Sequence, residues 1–346
     1  MSFLFKNNVL YLHAMNEQLY IPSPERYEQM NYRRCGRSGV LLPEISLGFW
    51  HNFGENHDEQ LGLDIVHCAF DHGICHFDLA NNYGPPIGAA EERFGRYMKR
   101  SLHTHRDELF IATKAGHLMW PGPYGDWGSR KSLVASLDQS LRRMNLDYVD
   151  IFYSHRYDPA TPIEETMQAL VDIVRQGKAL YVGLSKYPAD AAREAYAYLS
   201  AHQVPCLLYQ GRYNMLTRSP EEVIIEQANH HGTGFVAFSP LAQGLLTDRY
   251  LQGIPKGSRM AVSNFLRPDM LEDKLVAKLR ALNDIALQRG QTLAEMALAW
   301  ILRDERVTSV IIGASSVEQL KKNLHACSNQ SFTAEELRSI DECLRT

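Results

Sequence analysis

Four polar side chains follow three successive apolar segments of the chain, at or just past the point where each segment ends. Asp78 and Tyr83 lie in Phe-Asp-Leu-Ala-Asn-Asn-Tyr-Gly, Lys114 lies in Thr-Lys-Ala-Gly, and His155 lies in Ser-His-Arg. If these segments are neighbouring parallel strands, their carboxyl ends meet at one edge, with about 4.8 Å between strands. The four side chains would then converge on one site.

This combination suits the reduction of a carbonyl group by hydride. The alkoxide that forms must receive a proton, and an ordinary phenol, with a pKa of about 10, is a poor donor at neutral pH. A Lys114 ammonium beside Tyr83 favours the phenolate, so we expect it to bring the pKa of the phenol towards working pH. Asp78 would keep Lys114 charged and in place, and His155 would orient the carbonyl. Neither a metal nor a nucleophile is needed.

Each of these residues also has a purely structural interpretation. Asp78 could cap a turn, Tyr83 could be a half-buried packing residue, Lys114 could belong to a structural ion pair, and His155 could be a satisfied core histidine. Taken one at a time, these interpretations have at least equal weight. Their arrangement on three successive strand ends favours a catalytic site.

Short apolar runs alternate with amphipathic segments from about Leu42 to Cys327. This order is typical of βαβ units and of a parallel sheet. The predicted strands are Pro43–Trp50, Cys75–Ala80, Glu108–Ala115, Tyr148–His155, Ala179–Ser185, Pro205–Gln210, Gly234–Ser239 and Thr308–Ile312. The helical patterns are Asp58–His72, Ala89–Lys99, Ser129–Met144, Ile163–Gln176, Ala189–His202, Glu221–His230 and Leu271–Leu287.

Eight strands with helical returns favour an α/β fold of the closed (β/α)8 TIM barrel type over a doubly wound sheet. No linker divides the chain, so we predict an N-terminal extension at 1–30 and one barrel domain at 31–346. Thr292–Leu302 and Thr333–Leu344 are predicted as extra C-terminal helices, the second opened by a capping box. The long loops Gly116–Gly128 and Leu245–Pro268 follow strands, so they would form walls of a pocket on the active face.

Bulk composition excludes several classes of function. The 346 residues are 45% hydrophobic and 22% charged, as in ordinary globular proteins. The net charge of −4, without a long run of Lys and Arg, argues against a nucleic acid or membrane partner. No apolar stretch approaches the roughly 20 residues of a membrane span. Six scattered cysteines suit a reducing compartment, so we expect a cytoplasmic protein. The first residues are weakly patterned, and Met15 could be the true start.

The ordered motifs around the four polar residues resemble the catalytic tetrad of aldo-keto reductases, and the resemblance covers about Tyr32 to Leu344. It implies that Tyr83 is the general acid and that Lys114 and Asp78 are its tuning pair. Within the family, Asn-Asn-Tyr-Gly-Pro-Pro and Trp-Pro-Gly-Pro-Tyr-Gly look closest to the bacterial L-glyceraldehyde 3-phosphate reductase branch. That branch is similar to the β subunits of voltage-gated potassium channels.

The resemblance also implies a site for NADPH. Ser185 and Gln210 resemble the pair that binds the nicotinamide carboxamide, and Phe238 resembles the aromatic residue that stacks on its ring. The other contacts implied by the resemblance are Trp50, Asp78, Ser239, Leu241, Ala242, Gln243, Arg249, Arg259, Gly313, Ser315, Gln319 and Asn323.

The segment from Ser315 to Asn323 resembles the part of the family that binds the 2′-phosphate and the adenine, at the start of a helix. A capped structural helix is an alternative, because Ser316 and Gln319 also match a capping box. Many relatives have Arg where Gln319 stands, and Glu commonly stands at the position of Lys322. NADPH is therefore expected, with the adenine contact left open.

The activity implied by the resemblance is the reduction of small aldehydes, such as L-glyceraldehyde 3-phosphate and methylglyoxal, with oxidation of NADPH. The alternative is an NADPH-sensing binding subunit resembling the channel β subunits, although that branch commonly carries Asn at the position of His155. A general role in aldehyde detoxification is a third possibility. Arg130 and Lys131 could bind a substrate phosphate, but such a pair is more often a solvated first turn. A homo-oligomer, tetramer or larger, is expected by resemblance alone.

Overall fold

Eight parallel strands close into a barrel in the order β10-β3-β4-β5-β6-β7-β8-β9. The computed structural model describes residues 20–255 and 271–345. An antiparallel pair, β1 (Tyr32–Arg34) and β2 (Leu41–Pro43), precedes the barrel. The barrel strands are β3 (Ile45–Gly48), β4 (His76–Asp78), β5 (Phe110–Ala115), β6 (Val149–Ser154), β7 (Ala179–Ser185), β8 (Cys206–Arg212), β9 (Gly234–Phe238) and β10 (Val307–Ile312).

Helices connect the barrel strands and cover the outside of the barrel. They are α1 (Glu59–Asp71), α2 (Ala89–Tyr97), α3 (Arg130–Met144), α4 (Ile163–Arg175), α5 (Ala189–Ala201), α6 (Ile224–His231), α7 (Asp273–Gln288), α8 (Leu293–Leu302), α9 (Val317–Leu324) and α10 (Ala334–Arg345). The helix α4 shows why these segments fold as they do. It buries Met167, Leu170 and Val171, which share one face at helical spacing, while Glu164 and Glu165 occupy its first turn.

The (β/α)8 barrel predicted from the sequence is confirmed, but one of the two helices predicted as extra is part of the barrel wall. Eight of the ten residues of α8 are buried, and the helix packs against β10. The outer position is taken instead by α7, which packs against α8 and α10. The helix α8 takes this position because it has apolar residues on all its faces, and such a helix must be covered on all sides.

The antiparallel pair β1 and β2 was not predicted, and it lies at the amino-terminal end of the barrel. Cys35 and Leu42 are fully buried and join a cluster of barrel side chains. Gly36, with a φ of 51°, lies against the backbone of Gly232 and Thr233, just before β9 begins. A Cβ at Gly36 would lie 2.0 Å from the Gly232 carbonyl oxygen, so only glycine fits there. The hairpin covers the amino-terminal end of the barrel, so a functional site is expected at the carboxyl end.

Residues 20–30 pack along the outside of the barrel. The ring of Tyr20 stacks on His67 at 3.6 Å, and its hydroxyl donates to Asp71 Oδ1 at 2.9 Å. Arg26 pairs with Glu108 at 2.5 Å. Among the described residues, no helix is both long and apolar enough to cross a membrane, and no group of His, Cys, Asp or Glu could hold a metal ion.

Candidate active site

The ends of β4, β5 and β6 bring the four predicted catalytic residues together. Asp78 is the last residue of β4, Lys114 lies near the end of β5, and His155 directly follows β6. Tyr83 lies in the loop after β4, and its ring is 5.9 Å from that of His155. Asp78, Lys114 and His155 are buried, so the polar groups meet in a desolvated site.

The ammonium group of Lys114 connects the other members of the site. Its Nζ donates to Asp78 Oδ2 at 2.7 Å, to the Leu79 carbonyl at 2.6 Å and to the Tyr83 hydroxyl at 3.2 Å. An ammonium group has three donors, so all three are used. The other carboxylate oxygen of Asp78 accepts from Gln210 Nε2 at 2.8 Å. The pair of Asp78 and Lys114 is therefore joined to a residue predicted to bind the cofactor.

Burial controls the protonation of Tyr83 and Lys114. It raises the pKa of Tyr83 well above the ordinary value, and the negative charge of Asp78 adds to this effect. Burial also lowers the pKa of Lys114, against the attraction of Asp78. The direction for Tyr83 is opposite to the one expected from the sequence, because desolvation outweighs an ammonium group that Asp78 already neutralises. Tyr83 therefore holds its proton at neutral pH, and donating that proton requires a group that stabilises the phenolate.

His155 presents a neutral imidazole to the site. Burial lowers its pKa well below the ordinary value, and the positive charges of Lys186 and Lys114 lower it further. Its backbone N–H donates to the Ala115 carbonyl at 2.8 Å. In the part of the chain that the structure describes, its buried Nδ1 has no hydrogen-bond partner. Such a group suits a small polar ligand, because buried polar atoms in proteins are nearly always paired.

The residues predicted to hold the nicotinamide lie on three neighbouring strands near their carboxyl ends. Ser185 of β7 is paired in register with Gln210 of β8, and Phe238 ends β9 opposite Arg212. The Ser185 hydroxyl is buried and makes no hydrogen bond to any described residue. An unsatisfied hydroxyl beside an amide side chain fits a ligand that both donates and accepts, such as a carboxamide.

The turn after β9 has an unusual backbone. Ser239, Ala242 and Gln243 have φ values of 52°, 46° and 60°, which are rare for residues other than glycine. The half-buried Leu241 lies within the same turn. Asn214 holds the turn in place, because its Nδ2 donates to the Ser239 carbonyl at 2.9 Å. Strained backbone of this kind is concentrated at functional sites, and such a turn suits an anionic ligand.

The start of α9 forms the far side of the predicted cofactor site. Gly313 and Ser315 are exposed just after β10. Ser316 Oγ accepts from the Gln319 backbone N–H at 3.1 Å, as predicted. The Gln319 side chain accepts from the backbone N–H of Ser315 at 2.8 Å and from its hydroxyl at 2.9 Å, which is not the capping-box contact. Nearby, Asn323 is buried and its Nδ2 makes no hydrogen bond to any described residue.

The remaining predicted cofactor residues lie further out. Trp50 is half-buried just past β3, with its ring 3.9 Å from that of His51. Arg249 is exposed in the short helical turn Asp248–Tyr250. Arg259 lies outside the described residues, as does part of the predicted loop Leu245–Pro268.

The cations Arg130 and Lys131 are both engaged on the outside of the barrel. Arg130 pairs with Asp172 of α4 at 2.6 Å, and its backbone N–H donates to Glu165. Lys131 Nζ lies 5.0 Å from the centre of the Tyr124 ring. These contacts are those of a helix packed on its neighbour.

Two residues of the site were missed by the sequence analysis. Lys186 directly follows β7, and its Nζ lies 3.4 Å from His117 Nε2. The His117 ring meets that of His155 edge-on at 4.5 Å. Each directly follows a segment that the sequence analysis had marked, Lys186 after Ser185 and His117 after Gly116. The rule that selected the tetrad could therefore have selected them.

Comparison with known proteins decides the family. The model of the Aldo/keto reductase family matches residues 44–345, a range that contains the whole tetrad. The chain belongs to the aldo/keto reductase family. This aldo/keto reductase is 53% identical to the L-glyceraldehyde 3-phosphate reductases of Escherichia coli K12 and O157:H7, over 94% of its own length and 95% of theirs. It is 37% identical to a probable voltage-gated potassium channel subunit beta of Arabidopsis thaliana, over 86% and 91% of the two chains.

The predicted resemblance to these two groups is therefore confirmed, and the aldo/keto reductase is an oxidoreductase. Members of this family generally use a nicotinamide dinucleotide. The unsatisfied groups of Ser185 and Asn323 and the exposed backbone at Gly313 fit such a ligand at the carboxyl end of the barrel.

Proposed function

We propose that this aldo/keto reductase reduces small aldehydes to alcohols with NADPH, and that L-glyceraldehyde 3-phosphate and methylglyoxal are among its substrates. The observation that carries the proposal is the Lys114 ammonium group, which contacts both Asp78 and the Tyr83 hydroxyl. The names of the 53% identical relatives support the choice of the first substrate.

When bound, NADPH supplies the hydride that reduces the carbonyl carbon. Tyr83 donates its phenolic proton to the carbonyl oxygen, and Lys114 offsets the weaker acidity that burial gives the phenol. Lys114 then stabilises the phenolate through the 3.2 Å contact, and Asp78 keeps Lys114 charged. His155 orients the carbonyl as a neutral hydrogen-bonding group.

The choice of NADPH over NADH rests on the start of α9. Ser315 offers an exposed hydroxyl and a backbone N–H at the amino end of a helix, where phosphate groups bind readily. Gln319, which contacts both groups of Ser315, would give up these contacts to a 2′-phosphate. The family resemblance supports this assignment.

The first experiment measures oxidation of NADPH, with NADH as the cofactor control, in the presence of each aldehyde. Replacing Tyr83 by Phe removes only the hydroxyl, so turnover should fall by about 10³-fold, within the range for loss of a general acid. The matched control is Tyr97→Phe, which removes a hydroxyl that donates to the Glu59 carbonyl away from the site. Turnover by Tyr83→Phe near the unmutated rate would show that the proposed mechanism is wrong.

A cofactor-sensing subunit is the second candidate, because the Arabidopsis relative carries that kind of name. This candidate predicts tight binding of NADPH with very slow oxidation by every aldehyde tried. Rapid turnover, together with failure to recover a membrane partner, would eliminate it.

The proposal also places the enzyme in the cytoplasm as a homo-oligomer, tetramer or larger. Cysteines that are present as thiols support a reducing compartment. Light scattering on the purified protein measures the number of copies, and a monomer would contradict this part of the proposal.

A further inference from the structure

A cluster of two cations and an imidazole lies beside the tetrad at the carboxyl end of the barrel. It is formed by Lys186 after β7, Arg212 at the end of β8 and His117 after β5. Lys186 Nζ and Arg212 Cζ lie 5.7 Å and 5.8 Å from the centre of the Phe238 ring. Lys186 also contacts His117, which packs on His155. One imidazole ring therefore separates the Lys186 ammonium from the residue that orients the carbonyl.

The two cations of this cluster make no direct ion pair with a carboxylate of the described residues. Among residues 20–255 and 271–345, neither Lys186 nor Arg212 forms an ion pair. Another cation near the end of the barrel is paired, because Arg156 contacts Asp126 at 2.6 Å. Cations without an ion-pair partner attract anions, because no direct ion pair offsets their field.

The backbone at Lys186 supports a role in binding. Its φ is 56°, a left-handed conformation that costs energy for a residue other than glycine. This conformation occurs directly after Ser185, where the chain leaves the barrel and turns towards His117. Strain of this kind persists only where the surrounding structure imposes it, and it is concentrated at ligand sites.

We propose that Lys186, assisted by Arg212, binds the phosphate group of a phosphorylated short-chain aldehyde and so makes the enzyme prefer anionic over neutral substrates. The proposal rests on the proposed function, since it assumes that an aldehyde is reduced beside Tyr83. A phosphate monoester carries nearly two charges above a pH of about 6, and ammonium groups bind it through short charge-assisted hydrogen bonds.

Protonation of Lys186 limits this preference at high pH. Although the residue keeps contact with solvent, burial lowers its pKa to about 8, and neighbouring positive charges contribute. The charged or titratable groups around it are Lys114, Arg212, Arg156, His117 and Asp78. Titration of Lys114 affects every aldehyde, so the ratio of kcat/KM for a phosphorylated and a neutral aldehyde isolates Lys186. We expect this ratio to be highest between pH of about 6 and about 8 and to fall above it.

The test compares L-glyceraldehyde 3-phosphate with unphosphorylated L-glyceraldehyde in Lys186→Met, which removes the ammonium group and keeps an unbranched side chain one heavy atom shorter. We expect KM for the phosphorylated aldehyde to rise by about tenfold or more, as for loss of a hydrogen bond to a charged group, with kcat unchanged. KM for the neutral aldehyde and KM for NADPH should stay within about twofold. The conservative variant Lys186→Arg should keep the preference and lose its decline above pH of about 8, because an arginine stays charged.

The matched control is Lys178→Met, because Lys178 lies at the opposite end of β7 and pairs with Asp138 at 2.7 Å. It should change no kinetic constant. The proposal is overturned if Lys186→Met affects both aldehydes equally, affects neither, or raises KM for NADPH instead.

A binding measurement separates this proposal from the proposed function. Glycerol 3-phosphate carries the same phosphate group without an aldehyde, and calorimetry can follow its binding to the enzyme with NADP⁺. Binding that weakens about tenfold in Lys186→Met supports the phosphate site even if the unmutated enzyme reduces no aldehyde, a result that would remove the proposed function alone. Equal binding by both proteins overturns the phosphate site.

Discussion

The barrel holds a buried ion pair at each end, and the two pairs have different partners. At the amino-terminal end, Arg33 donates to Glu44 Oε1 at 2.8 Å and also to the backbone carbonyls of Leu302, Asp304 and Val307. At the carboxyl end, Lys114 donates to Asp78, to one backbone carbonyl and to the hydroxyl of Tyr83.

The difference shows what makes a buried ion pair functional. The backbone carbonyls around Arg33 do not gain or lose a proton. The contacts of Arg33 therefore only hold the hairpin of β1 and β2 on the barrel. The Tyr83 hydroxyl can lose its proton, so the contact with Lys114 becomes stronger when the phenolate forms. Burial of the carboxylate does not distinguish the two pairs, because Asp78 and Glu44 are both desolvated, although the Arg33 side chain is 18% exposed and that of Lys114 is fully buried.

Removal of Lys114 should have the largest effect on activity. Lys114→Met leaves Asp78 buried without its cation and takes away the group that stabilises the phenolate of Tyr83. We expect kcat to fall by at least about 10³-fold, since preorganised charge stabilisation is a large part of catalysis. Kinetics with NADPH measure the loss, and circular dichroism confirms that the fold is kept. A folded variant within tenfold of the unmutated kcat would remove Lys114 from the mechanism.

Removal of Arg33 should instead reduce stability. Arg33→Met leaves the nearly buried Glu44 without its cation and several carbonyls without a donor. The free energy of unfolding should fall by about 3 kcal/mol, the lower end of the range for a broken buried pair. Unfolding in urea measures the loss, and kcat per folded molecule should stay within about twofold. If Arg33→Met folds but has no activity, the pair at the amino-terminal end also affects catalysis, and the proposed division between a stabilising pair and a catalytic pair is wrong.

The sequence predicted the carboxyl end of the barrel better than the amino-terminal end. Asp78, Lys114 and His155 follow segments with clear strand patterns, and parallel strands place such residues side by side. The hairpin that carries Arg33 has two strands of three residues each, too short to show a pattern.

The predictions that failed depended on packing between distant segments. The position of α8 in the barrel wall depends on what covers each of its faces, and periodicity alone could not distinguish it from α7. The raised pKa of Tyr83 depends on its burial in the folded protein, which no local motif contains. Lys186 is a different case, because its place directly after a predicted strand was visible in the sequence and only its contacts with His117 and Phe238 needed the structure.

A histidine near the amino-terminal end should make stability depend on pH. His76 of β4 is fully buried, its Nδ1 is 2.8 Å from Ser46 Oγ, and burial lowers its pKa to about 4. The unfolded chain has a higher histidine pKa of about 6.5, so it binds more protons between these values. Stability is therefore lost as the pH falls from about 6.5 towards 4, by about 2 kcal/mol at pH 5.

Urea unfolding at pH 7 and pH 5 measures this loss. His76→Gln cannot gain a charge in this range and keeps a group that can bond Ser46, so it should lose about 2 kcal/mol less between the two pH values. Other titrating groups are common to both proteins and cancel in the difference. The same pH dependence in both proteins would mean that His76 does not titrate as its burial requires.

The smallest expected effects concern the first residues of two helices, one in the predicted cofactor site and one away from it. At α10, Thr333 and Glu336 cap each other reciprocally, with contacts of 2.6 Å and 3.2 Å. At α9, the Gln319 side chain turns to Ser315 instead. Thr333→Ala should therefore cost about 1 kcal/mol of stability and leave cofactor preference unchanged.

Ser315→Ala should show the opposite behaviour. The exposed hydroxyl contributes little to stability, but its loss should lower the preference for NADPH over NADH in kcat/KM by about tenfold, as expected for a hydrogen bond to a charged phosphate. Kinetics with both cofactors measure this preference, with Thr333→Ala as the control. If the preference is unchanged, the Ser315 hydroxyl takes no part in recognising the 2′-phosphate. The unusual contact of Ser315 with Gln319 would then stabilise only the helix, as the reciprocal cap of Thr333 and Glu336 does at the start of α10.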